Sequence, residues 1–172
     1  MNIKGNKTGV FYSLIIIMSS LSSSFLKASY SKKDLIGIYQ VKYPQFDEIK
    51  KLCYNKPDCF KGPGAIAILP LGIVIDLKET EVSMFTDLNL IKIELGLLEA
   101  KDYKVEREYL GKGTWDLTGD IITCHLNEFH TDQPVKAAIK IISRQGDSWK
   151  AEFKPENDND VQQITLAPFT HS

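Results

Sequence analysis

Most of the reactive side chains in this chain are three cysteines and three histidines: Cys53, Cys59, Cys124, His125, His130 and His171. Cys53 and Cys59 are separated by Tyr-Asn-Lys-Pro-Asp, a stretch that can turn the chain back on itself, with Pro57 favouring the turn. In an oxidising compartment this spacing predicts a disulfide, a local clip worth about 2 kcal/mol on chain-entropy grounds. Cys124 is then left over. It alternates with Ile122 and Leu126, and no Lys, Arg or Gly-rich helix start adjoins it to lower its pKa, so a buried, inert thiol is expected. Cys124, His125, Glu128, His130 and Asp132 form the densest run of metal-ligating types. His125 and His130 are the candidate nitrogen ligands of a Zn²⁺ site completed by Glu128 or Asp132 at a strand end. Their spacing matches no recognised site, and solvent-facing polar residues are the simpler account, so no metal is expected.

No Gly-x-Ser-x-Gly elbow, His-Glu-x-x-His pair, Walker loop or dinucleotide fingerprint occurs, so no motif calls for a cofactor and the balance is against an enzyme. A pair of carboxylates meeting in space is the one catalytic arrangement left open by the 22 acidic residues. The 172 residues are 43% hydrophobic and 25% charged, an ordinary globular composition that rules out a disordered, collagenous or disulfide-dense chain. Twenty-one basic against 22 acidic residues give a formal charge of −1. Such a balance has no global positive field for phosphates, so a nucleic-acid partner is not expected.

The charge is unevenly placed. Residues 1–28 contain Lys4, Lys7 and Lys27 and no acid, and Val10 to Met18 is an apolar run followed by Ser-Ser-Leu-Ser-Ser-Ser. This reads as a helical signal peptide, cleaved after Ser22, Ser24 or Ala28. The run is about half of the roughly 20 apolar residues that a membrane span needs. A mature domain over residues 29–172 would carry 18 basic and 22 acidic side chains, a charge of −4, and no stable membrane span. The protein is therefore expected to be exported, periplasmic or extracellular.

Positioning these residues falls mainly to short strands. Leu35 to Lys42 is the first, ended by Pro44, and Asp47 to Tyr54 is a short helix with acids first and lysines last. Ala65 to Leu77 is read as two short strands around Pro70 and Gly72, because the residue before proline avoids the α region and Ile73, Val74 and Ile75 are β-branched. Val82, Met84 and Thr86 alternate in the next strand, and Ile91, Ile93, Leu95 and Leu97 in another. Tyr103 to Tyr109 follows, with a bend allowed at Gly111 and Gly113 before Thr114 to Leu117. Thr118-Gly119 then makes a tight hairpin with Asp120 to Leu126. After the polar loop Asn127 to Gln133, Val135 to Ser143 and a return through Trp149, Ala151 and Phe153 precede the last strand, Val161 to Ala167. Nine to eleven strands with evenly spaced turns predict a mainly β fold, a single antiparallel barrel or sandwich with one short helix.

Leu35-Ile-Gly37-Ile-Tyr39 and Gly111-Lys-Gly113-Thr-Trp115-Asp-Leu-Thr-Gly119-Asp120 resemble patterns in small bacterial lipocalin-like, calycin-type barrels, across about residues 33–167. Tyr39 stands where a lipocalin usually has Trp. The resemblance implies a barrel that binds a small apolar molecule or lipid, with no enzymatic role. Tyr39, Tyr103, Tyr109 and Trp115 are the candidate ligand-binding aromatics, although core packing alone would account for their shared faces with aliphatics. The competing expectation is a solid barrel acting as an inhibitor or envelope-assembly factor, with a protein partner held by the loops Asn127 to Gln133 and Cys53 to Cys59. An apolar cavity of about 300 Å³ or more would favour the ligand, while a filled interior would reject it.

Overall fold

A computed structural model describes residues 30–62, 64–156 and 160–169. The expected signal segment, residues 1–28, lies outside them. Eight antiparallel strands close into one barrel in sequence order: β1 (Gly37–Lys42), β2 (Ile73–Leu77), β3 (Glu81–Asp87), β4 (Arg107–Thr118), β5 (Ile121–Glu128), β6 (Pro134–Gln145), β7 (Ser148–Pro155) and β8 (Gln162–Pro168). Closure comes from β1 against β8, where Tyr39 pairs with Pro168 and Lys42 with Thr165. The fold is thus a barrel and not a sandwich.

Alternation along each strand decides what fills it. Val41, Ile75, Leu77, Val82, Ile122, Cys124, Ile139, Ile141, Ile164 and Leu166 point inward and are buried, together with Tyr39, Trp115 and Trp149. One end is closed. Tight hairpins join β2 to β3, β4 to β5 and β6 to β7 there, with Gly119 (φ 64°) and Gly146 (φ 60°) supplying the left-handed turn residues of the last two. A one-turn helix, α1 (Lys32–Leu35), lies across that end with Leu35 fully buried. Lys32 Nζ sits 4.5 Å from the centre of the Trp115 ring and donates to the Trp115 carbonyl at 2.7 Å, while Tyr30 meets Trp149 edge-on at 5.0 Å.

Longer connections gather at the other end. Helices α2 (Phe46–Cys53), α3 (Gly64–Ile68) and α4 (Leu88–Glu94) bury Phe46, Ile68, Leu71, Ile91 and Leu95 together beside the barrel. A buried polar tie fixes this layer to β1: Gln40 Nε2 donates to the Leu71 carbonyl (2.9 Å) and to Glu94 (3.2 Å), whose carboxylate also takes Lys50 at 2.7 Å. The Cys53–Cys59 disulfide joins the end of α2 to the 3₁₀ turn Pro57–Phe60.

Three expectations are corrected here. Ala65 to Leu77 is not two strands, because only β2 is extended. Its first half is α3 followed by a 3₁₀ turn, Leu69–Gly72, in which Pro70 sits near the start, where its missing N–H costs nothing. Gly72 allows this turn to press on α4: an added Cβ would lie 2.6 Å from Ile91 Cγ1 and 2.7 Å from the Asp87 carbonyl oxygen. The alternation at Ile91, Ile93, Leu95 and Leu97 belongs to α4 and its exit, not to a strand. Asp87 caps that helix, its Oδ1 accepting from the N–H groups of Asn89 (3.1 Å) and Leu90 (3.0 Å). Tyr103 to Glu106 precedes β4 as coil, and Gly111 and Gly113 lie inside a continuous strand without breaking it. Among the described residues the strand count is then eight, and four α-helices stand where one short helix was expected.

Candidate functional site

The end of the barrel opposite α1 contains an apolar cup of about 220 Å³. Its walls are the inward residues nearest the strand ends: Met84 on β3, Gly111 on β4, Leu126 on β5, Val135 and Ala137 on β6, and Phe153 and Pro155 on β7, with Glu128 at the rim. Two local features make the space. Gly111 faces Met84 on one side and Glu128 on the other in the strand register, so β4 puts bare backbone into the wall. The β3–β4 register then slips between Met84 and Phe85. The extra residue, Leu110, reaches the cup although the neighbouring Tyr109 packs on the outer face. Ala137 contributes only a methyl group opposite Cys124.

Below the cup the barrel is filled. Trp115 and Trp149 are almost wholly buried, and Trp115 Nε1 donates to the Lys78 carbonyl at 2.6 Å, so its polar atom is spent on the closed end. Glu128 takes a hydrogen bond from the Thr131 hydroxyl (2.6 Å), which turns the chain after β5 and leaves Phe129 61% exposed near the rim.

The four candidate aromatics separate. Tyr39 and Trp115 are inside, in the packed region. Tyr109 is outside, edge-on to Phe85 at 5.9 Å, and Tyr103 is outside too, donating its hydroxyl to Asp87 Oδ2 at 2.5 Å. None of the four lines the cup. The residues that do were all assignable to inward faces by alternation, but which strand ends remain open depends on the placement of the long connections.

Burial pushes the Cys124 thiol up to about 12, in keeping with an inert core residue. Cys124 and His125 face opposite sides of β5, and His130 Nε2 lies 3.6 Å from Glu108 Oε1. Among the described residues, no three His, Cys, Asp or Glu side chains gather as a metal would require. Alkylation followed by intact-mass measurement gives a direct check of the cysteine arrangement. The native protein should take up no label, the unfolded protein one at Cys124, and the unfolded and reduced protein three. Labelling at three sites without reductant would contradict the disulfide.

The fold and the cup define a small, closed antiparallel barrel with an apolar mouth at one end. Comparison with protein-family models, with curated proteins and with solved structures returned no match. Among the described residues, no helix is long and apolar enough to cross a membrane.

Proposed function

We propose that the protein is an exported, lipocalin-like barrel that binds a small apolar molecule, or the apolar end of a lipid, in the cup. The carrying observation is the cup itself, a nearly all-hydrocarbon recess at the mouth of an otherwise filled barrel. Its volume, about 220 Å³, falls short of the roughly 300 Å³ at which pockets begin to enclose whole drug-sized ligands. The reading is narrowed accordingly: one short apolar group enters, and the rest of the ligand stays outside beside Glu128. Export rests on the leader-like first 28 residues and agrees with the Cys53–Cys59 disulfide.

The uncharged fluorophore N-phenyl-1-naphthylamine is a suitable probe, with native mass spectrometry for co-purified lipid alongside it. Saturable binding is expected, and Ala137→Leu should weaken it about tenfold or more by filling the cup. Absence of binding, or a variant that binds as well as the parent, would reject the cup. A second reading would then take its place, favoured by the filled interior and by exposed Phe129 in the loop after β5: the barrel meets a protein partner through its loops.

A further inference from the structure

On the outer wall of the barrel, across β2, β3 and β4, lies a separate groove of about 440 Å³, lined by Asp76, Ser83, Phe85, Arg107, Tyr109 and Lys112 among others. It lies back to back with the cup, since Ser83 and Phe85 face outward on either side of inward-facing Met84. Its base is an edge-to-face pair of rings, Phe85 and Tyr109, and each ring carries a cation. The Arg107 guanidinium carbon is 4.2 Å from the centre of Phe85, and Lys112 Nζ is 3.7 Å from the centre of Tyr109. Ring contacts hold the cations in place but do not satisfy their N–H groups.

Arg107 is where this matters most. Its Nε is buried and has no hydrogen-bond partner among the described residues. Three nearby acids are engaged elsewhere. Asp87, its cross-strand neighbour, is fully buried and already accepts from Tyr103, Asn89 and Leu90. Glu106 pairs with Lys92, and Glu108 faces His130. Asp76 and Glu81 line the groove without an ion pair to Arg107. A buried guanidinium N–H without an acceptor is costly, and the Nε edge of arginine matches a planar two-oxygen acceptor.

We propose that this groove binds a carboxylate, which accepts from the guanidinium of Arg107 while Lys112 supplies a second positive charge. Such a carboxylate can belong to a free organic acid or to the end of a peptide. The site is independent of the apolar cup, which an uncharged probe reports.

Titration of the ¹⁵N-labelled protein, followed at the Arg107 Nε–Hε resonance and, in every variant, at the backbone amides of β3 and β4, tests the assignment with benzoate, acetyl-trialanine, its carboxamide and inorganic phosphate. Saturable shifts with benzoate, with the free-carboxylate peptide or with both, and none with the carboxamide, are expected. Whichever of the two binds more tightly identifies the source. Arg107→Lys should weaken binding about tenfold or more through loss of the two-pronged contact, and Lys112→Gln several-fold, with near-ultraviolet circular dichroism unchanged. Three results would overturn the proposal: no saturable shift with either carboxylate, phosphate binding as tightly as benzoate, or undiminished binding in both variants.

Discussion

Gly113→Ala is expected to destabilise the barrel by about 3 kcal/mol or more, at the upper end of what a single added methyl costs in a packed interior. The position has ordinary strand backbone, so the penalty is steric and not conformational. A Cβ there would overlap the carbonyl oxygen of His125 and stand 2.9 Å from its carbon, both main-chain atoms of the paired strand β5. No side chain can swing away to relieve that contact. The β4–β5 ladder must open locally, next to the Trp115–Cys124 pair at the centre of the core. Gly119→Ala is the matched control. Its Cβ meets nothing within 4 Å, and only the positive φ of 64° is strained, for which about 1 kcal/mol is expected. Urea unfolding of the two variants separates the effects, and equal midpoints would show that β4 and β5 are not so tightly apposed.

Stability should also fall steeply on the alkaline side, beginning near pH 9. The Cys124 thiol is held protonated by burial up to about 12 in the folded barrel, against 9.0 for the ordinary group. Burial likewise raises the Tyr39 and Tyr43 phenols, and burial followed by the hydrogen bond to Asp87 raises that of Tyr103. Each group has a folded pKa above its unfolded one. The unfolded chain therefore releases protons first as pH rises, and the folded state loses its advantage over the interval between the two values. Below pH 9 the contribution is whole. Between pH 9 and about 12 Cys124 alone gives a slope approaching 1.4 kcal/mol per pH unit, and the tyrosines add to it from pH 10. Thermal midpoints measured from pH 7 to 11 should stay flat at first and then drop. Cys124→Ala should remove the part that begins before pH 10, and a flat profile to pH 11 would contradict the buried placement of these groups.

The barrel was legible because inward and outward residues alternate along most of each strand from β4 to β8, and the disulfide because six positions separate two cysteines with a proline between them. Residues 65–72 and 88–97 fold otherwise than as the strands their sequence suggests, for definite reasons. Ile91 and Leu95 are two steps apart in a repeat of alternate residues and four apart on a helix, so this pair satisfies both periods, while Ile93 and Leu97 fit only the alternation. The deciding group was Asp87, whose carboxylate caps α4, although in the sequence it is the last residue of an alternating strand. Pro70 had a similar ambiguity, since it excludes a helix interior but suits the first turn of one. The cup was harder still to foresee. Its walls were assignable, but its volume comes from side chains that are missing, at Gly111 and Ala137, and from a one-residue slip at Leu110 that only the β3–β4 pairing reveals.

Closure of β1 on β8 has a consequence for how the chain folds. Tyr39 and Pro168 are 129 positions apart, and every other strand pair can form before they meet. A topology that finishes on so distant a contact folds slowly, because the entropy of drawing the ends together is lost before the last ladder compensates for it. Until then the growing sheet has two open edges, one along β1 and the other along whichever strand was added last, and both can pair with another chain. The completed barrel has none. Its resistance to association therefore arrives with the final strand, and a chain truncated before Gln162 would keep two adhesive edges throughout its life.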